Sequence, residues 1–197
     1  MTSHRARRGA AHALALSCSL VVLQPSAARE VPPPPGTVRI SPGSAQLLFT
    51  PWDDAESQIV AALRGARREV LVQAFAFTSR TIARALIDAH GRGVEVRVTA
   101  DAGEAGRVER GRIDEIAAAG IPVWLESAYQ SAHNKVIVID ADLAENVVIT
   151  GSYNWTHAAQ HRNAENVLIL RSQRDLAARY RANWMRHQAA AQRHSPR

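Results

Sequence analysis

The chain has 197 residues and a formal charge of +6 at pH 7, long enough for one domain with a proper core and too short for two ordinary ones. A single cysteine, Cys18, excludes a disulfide framework and cysteine-zinc chemistry. Mild basicity weakly favours a polyanionic or phosphate-bearing partner, but its make-up says more: of 24 basic side chains only Lys135 is a lysine.

Residues 1–28 read as a cleavable export signal. Arg5, Arg7 and Arg8 open it, an apolar run follows from about Ala10 to Leu23, and Ser26-Ala27-Ala28 gives a small-x-small cleavage pattern. Polar residues interrupt the run, which falls short of the ~20 apolar residues a bilayer-spanning helix needs, so a retained anchor is the weaker reading. Ala15-Leu16-Ser17 before Cys18 is a poor match to a lipidated cysteine. Cleavage after Ala28 would remove Cys18 and three arginines but no acid, lowering the charge from +6 to +3. The mature protein is then expected in the periplasm or outside the cell. Residues 29–37, with four consecutive prolines from Pro32 to Pro35, read as a stiff linker.

From residue 38 to 188 short β-branched runs alternate with helical patterns. Strands are expected over 45–50 and 69–75, with an amphipathic helix over 54–66 between them. A helix over 79–93, with Ser79 near its start and glycines at its exit, leads into a strand over 94–100. Another helix, 112–119, precedes a strand over 121–125. Two more strands, 135–140 and 146–151, flank a polar connection; a strand over 164–170 and a helix over 173–188 follow. This is an α/β domain, a mixed β-sheet flanked by helices. Residues 189–197 read as a frayed, flexible tail.

The stretch HNKVIVID, His133 to Asp140, concentrates chemistry. On a strand His133 and Lys135 project from the same face, and Asp140 from the other, as a structural partner. Ser152 and Asn154 share a face after the next strand. A hairpin register pairing Lys135 with Ser152 would set His133 opposite Asn154; other registers would turn Ser152 and Asn154 away. Gly151 would let a ligand approach the backbone. An imidazole, an ammonium, a hydroxyl and a carboxamide form a poor cation site and a good cradle for a phosphate. Only imidazole among them is both nucleophile and proton carrier near neutral pH.

His133-x-Lys135-x4-Asp140, followed by Gly151-Ser152-x-Asn154, closely resembles the HKD motif of the phospholipase D superfamily. The downstream RNAEN, the upstream AFAFTSRTIARAL and the overall length resemble its small single-motif bacterial endonucleases. The resemblance implies a phospholipase D-like fold and a catalytic set of His133, Lys135, Asp140 and Glu165, with Asp140 structural. His133 would attack phosphorus, Lys135, Ser152 and Asn154 would hold its oxygens, and Glu165 would orient a catalytic histidine. A lone lysine fits a site where a compact point charge meets phosphate and the broader arginine fork does not. With one motif per chain, a homodimer sharing one active site would supply the second histidine as proton donor.

These features imply a metal-independent phosphodiesterase without cofactor, acting on nucleic acid, DNA or RNA. Arg107, Arg110 and Arg112 are candidates for contacts to its backbone, or an ordinary solvated face. Phospholipid is the alternative substrate, although no exposed apolar rim is evident in the sequence. A non-catalytic nucleic-acid-binding module is a third reading, which has no need of a nucleophile. His157 and His161, four apart, lack an evident third ligand and read as surface residues rather than a metal site. Trp155, Trp52, Trp124 and Trp184 read as core in preference to base-stacking groups.

Overall fold

A computed structural model describes residue 40, residues 42–107 and residues 111–195. The expected export signal, almost the whole segment before residue 42, and Arg110 lie outside the described residues.

The expected alternation forms one mixed sheet. Strands β1 (Ser44–Thr50), β2 (Glu69–Ala74), β3 (Glu95–Asp101), β4 (Val123–Glu126), β5 (Val136–Ile139), β6 (Val147–Gly151), β7 (Glu165–Arg171) and β8 (Gln192–Arg193) lie in the order β1-β7-β6-β5-β2-β3-β4-β8. β2, β3 and β4 run parallel, whereas every pairing from β2 through β5, β6 and β7 to β1 is antiparallel. The sheet therefore changes character at β2 and β5, the strands at its centre.

Helix α1 (Ala55–Arg64) starts because the Asp54 carboxylate accepts the Ser57 N–H at 3.0 Å, replacing a bond the first turn cannot make internally. The Ser57 side chain first, and this backbone N–H second, hold the Asp54 carboxyl below the usual carboxylate range. α1 buries Ala55, Ile59, Val60 and Leu63, a helical stripe facing the sheet. Ser79 caps α2 (Arg80–Gly91) in the same way through Ile82 N–H, and Gly93 at φ +88° turns the chain out. Helices α1 and α2 cover one face of the sheet, together with α4 (Ile113–Ala118). The other face packs on α6 (Arg174–Ala190), where Leu71, Val136, Val138 and Val148 meet Ala177 and Trp184. All six residues of β2 are buried, as a strand covered on both sides must be.

Four expectations are corrected. The hairpin register pairs Val136 with Thr150 and Ile137 with Ile149, one residue away from pairing Lys135 with Ser152. The reason is packing: Ile137 and Ile149 go to the helix α1–α2 side and Val138 and Val148 to the α6 side, and a one-residue slip would turn β6 inside out. The tail from residue 189 is not frayed as far as it is described. α6 continues to Ala190, and β8 pairs with β4 at Trp124 and Leu125, where the Arg193 guanidinium lies 4.7 Å from the Trp124 ring. Two short helices, α3 (Ala102–Arg107) and α5 (His157–His161), were not expected. Among the tryptophans, Trp155 and Trp184 are core and Trp124 packs edge-on against Trp184, but Trp52 is 81% exposed.

Candidate active site

The motif residues sit where the parallel and antiparallel halves of the sheet meet, at the edge reached by the start of β5, the end of β6 and the start of β7. Strand pairing begins only at Val136, so His133 and Lys135 are held by contacts rather than by strand alternation. The Lys135 Nζ lies 2.7 Å from His133 Nδ1 and donates to the His133 carbonyl at 2.8 Å. One aromatic ring backs both groups: Phe75 lies 4.3 Å from the His133 ring centre and 4.8 Å from Lys135 Nζ. Lys135 is 5% exposed while His133 is exposed. The nucleophile candidate thus faces solvent, and the ammonium behind it is shielded.

That burial lowers the pKa of Lys135, and the nearby Glu165 carboxylate partly restores it. Glu165 itself is fixed by two donors, Ser152 Oγ at 2.5 Å and Asn163 Nδ2 at 2.9 Å. Ser152 Oγ in turn accepts from Asn166 N–H at 3.1 Å. The structure therefore joins His133 to Lys135 and Ser152 to Glu165, the two pairs coupled through the field between Lys135 and Glu165. Glu165's hydrogen bonds go to Ser152 and Asn163, so within one chain it acts on the site through Lys135 rather than as a direct partner of His133. Asn154 Oδ1 is buried without a hydrogen-bond partner. Beside it the Tyr153 hydroxyl is also buried and unpartnered, and burial first, then the carboxylates of Glu56, Asp54 and Glu165, push its pKa above the usual range.

Gly151 is required for a different reason from the one expected. At φ +150° a Cβ would run into the carbonyl oxygen of Asn166, so the close approach there is made by β7, not by a ligand. This lets Ser152 N–H bond that carbonyl at 3.1 Å and places its hydroxyl at Glu165.

Asp140 is the motif residue that the site does not gather. It lies at the opposite end of β5, roughly 16 Å along the strand from Lys135 at ~3.3 Å per residue. Its carboxylate accepts the backbone N–H groups of Arg67, Arg68 and Glu69 at 2.8–2.9 Å, and its own φ is +52°, a conformation that aspartate tolerates better than most residues. Asp140 thus sets the entry of β2 and does not belong with the catalytic residues.

The arginine candidates divide. Arg107 is 80% exposed on its side chain and 3.6 Å from Glu104. Arg112 is drawn to Glu115 at 2.7 Å with 17% of its side chain exposed, which makes it part of the fold and no longer a candidate for backbone contacts. His157 and His161 lie with ring centres 4.2 Å apart, and no cluster of three potential metal ligands occurs among the described residues. Phe75, Asn163 and Asn166 are site residues that sequence reasoning missed. Their signal lay inside AFAF and RNAEN, where nothing distinguishes a catalytic wall or a hydrogen-bonding clamp from an ordinary strand residue.

Comparison with known proteins agrees with this geometry. Residues 59–187 match the family model described as cardiolipin synthase, PLD-like domain. A phospholipase D from Rickettsia conorii is 36% identical over 77% of this chain and 72% of its own length. A mitochondrial cardiolipin hydrolase from Xenopus laevis is 37% identical over 59% of this chain and 53% of its own. The crystal structure of Nuc from Salmonella typhimurium, a phospholipase D family member, superposes with a TM-score of 0.72 at 28% identity, covering 77% of this chain and 97% of that one. NucT from Helicobacter pylori, with a TM-score of 0.70 at 21% identity, shares the fold. With the motif, the sheet and the matched length in agreement, the chain belongs to the phospholipase D superfamily of phosphodiesterases.

Proposed function

We propose that this protein is an exported, metal-independent endonuclease that cleaves nucleic acid through a phosphohistidine on His133, in an active site shared by two copies of the chain. The observation that carries the chemistry is the exposed His133 imidazole backed by the shielded Lys135 ammonium at 2.7 Å. An ammonium can only donate, so in this arrangement the neutral imidazole keeps its proton on Nε2. Attack by Nε2 requires that proton on Nδ1, and hence that Lys135 release it. An arriving phosphate oxygen offers Lys135 the stronger, charge-assisted partner, so substrate binding itself prepares the nucleophile.

Nε2 then forms a bond to phosphorus as the bond to the leaving oxygen breaks, and the leaving oxygen takes a proton from His133 of the second copy. Water attacks phosphorus, gives its proton to that second imidazole, and the N–P bond breaks. The enzyme returns to its starting state, and two in-line displacements leave the configuration at phosphorus retained. Lys135 and the Asn154 carboxamide N–H would stabilise the charge on the non-bridging oxygens, and Ser152 would join them by turning its hydroxyl proton from Glu165 to the phosphate.

Nucleic acid is favoured by the arginine-dominated charge and by the resemblance to single-motif endonucleases. Phospholipid hydrolysis is the second reading, supported by the names of the Rickettsia and Xenopus relatives. An exposed apolar strip also supports it: Leu47 and Phe49 on β1, the strand that pairs Thr50 with Glu165, and Trp52 in the turn just after it, where the sequence alone showed no such rim. A non-catalytic module would have no use for an exposed imidazole set on a shielded ammonium. Purified protein assayed on labelled DNA, RNA and phospholipid vesicles, in excess EDTA, decides the matter. Chelator-resistant cleavage of nucleic acid, weakening steeply with salt, is expected; turnover of lipid alone would overturn the proposal in favour of the second reading.

A further inference from the structure

Beyond Phe75 the surface opens into a cavity of about 630 Å³, within the range of small-molecule sites. Its floor is built at the carboxyl ends of the parallel strands: Phe75 follows β2, Asp101 ends β3 and Glu126 ends β4. Open α/β sheets take their ligands at this edge. Phe75 is a wall common to the cavity and the His133–Lys135 pair, so a group filling the cavity is adjacent to a phosphate held at His133.

The lining sets the chemistry of that group. Phe75 and the half-exposed Tyr129 offer aromatic faces, while Asp101, Glu104 and Glu126 offer carboxylates and Ser127 a hydroxyl. The two most buried carboxylates are held in place rather than left to swing. Asp101 accepts the N–H groups of Glu104 and Ala132, both at 2.8 Å. Glu126, 4% exposed, has one oxygen 2.5 Å from Nδ1 of His187, whose ring packs 5.3 Å from that of Tyr129. Arg107, its side chain 80% exposed and 3.6 Å from Glu104, also lines the cavity, but with three carboxylates to one guanidinium the surface disfavours a second phosphate and suits a flat ring carrying N–H donors.

We propose that this cavity is a nucleobase subsite, which receives the base next to the scissile phosphate and prefers one with an exocyclic amine beside a ring N–H, as in guanine. The subsite rests on the nucleic-acid reading of the active site. Guanine presents two parallel donors that a carboxylate can accept together, whereas uracil and thymine present one donor flanked by carbonyls that a carboxylate opposes. The enzyme is then non-specific in its phosphate contacts but biased in where it cuts.

Binding can be read without turnover, by calorimetry on the full chain with 5′-GMP, 5′-UMP, inorganic phosphate and phosphoethanolamine. GMP should bind at least tenfold more tightly than UMP or phosphate. Ser127→Trp, which fills the cavity from its rim, and Glu126→Gln should each erase that advantage. In Ser127→Trp the affinity for inorganic phosphate should be unchanged, and this also reports that the variant is folded. Equal affinity for GMP and UMP, a GMP advantage that survives Ser127→Trp, or tighter binding of phosphoethanolamine would overturn the subsite. Failure to cut any oligonucleotide, with the GMP preference intact, would instead overturn the proposed function and leave the subsite standing.

Discussion

The two ends of β5 carry the same motif and do opposite work. At one end Asp140 is buried and its carboxylate is saturated by three backbone N–H groups. At the other, His133 is exposed, Lys135 is desolvated with a lowered pKa, and Asn154 Oδ1 is buried without a partner. Buried polar groups are ordinarily satisfied, so the Asp140 end obeys the rule and the His133 end departs from it. Departures of this kind gather at functional sites, where local rules give way to chemistry. The comparison separates residues whose loss should stop turnover from those whose loss should soften the fold.

The largest effect is expected at His133. His133→Ala should reduce turnover about 10⁴-fold or more and leave the thermal midpoint essentially unchanged, because an exposed imidazole contributes little packing. A clear drop in midpoint would show that this end, too, is structural. Mixing wild-type protein with an excess of His133→Asn subunits should poison activity if two copies share a site. Undiminished activity per wild-type subunit, with exchange demonstrated, would contradict sharing.

Lys135→Arg keeps the charge but places a broad fork in a slot lined by Phe75 and His133. A loss of about 10²-fold in kcat is expected, and near-normal kcat would show that point-charge geometry is unimportant. The pH profile sharpens this. Because burial lowers the Lys135 pKa, the ammonium is lost, and activity should fall, at a pH below that of an ordinary lysine; in Lys135→Arg this basic limb should vanish. Glu165→Gln removes the carboxylate that raises the Lys135 pKa, so its basic limb should move to still lower pH. A limb that stays fixed in Glu165→Gln would dissociate the two groups.

The smallest effect on chemistry belongs to Asp140. Asp140→Asn retains one carbonyl acceptor and leaves a backbone N–H of the β2 entry without its charged partner, at a cost of about 2 kcal/mol. Denaturant unfolding should register this, whereas turnover per folded molecule should stay within twofold. A large loss of turnover in folded Asp140→Asn would erase the distinction between the two ends.

Much of this was legible in the sequence because the signals are local. Hydrophobic alternation located seven of the strands, and caps such as Ser79 marked helix starts. The lone lysine and the spacing around it pointed to His133, Lys135, Ser152 and Asn154 as one patch, and the resemblance to the phospholipase D motif added Glu165. What stayed hidden depends on tertiary partners. β8 is an exposed Gln-Arg pair that is a strand only because β4 offers an edge. The hairpin register turned on which valines face α6, and the reason for Gly151 lies in β7, across a strand pairing that spacing cannot specify. Arg112 looked like its neighbour Arg107 until Glu115 was placed beside it, and Trp52 looked like core until the end of β1 was seen to leave it in solvent. Phe75 reads as one more strand aromatic, and its role follows from being set against both His133 and Lys135.

The central claim, that His133 is the nucleophile, is tested most directly by acid-quenching the enzyme during turnover of a phosphate-labelled diester and mapping the label by mass spectrometry. The account predicts an acid-labile phosphoryl adduct on His133, absent in His133→Asn, with retention of configuration at phosphorus in the released product. Label on another residue, or product formed with inversion and no adduct, would contradict it.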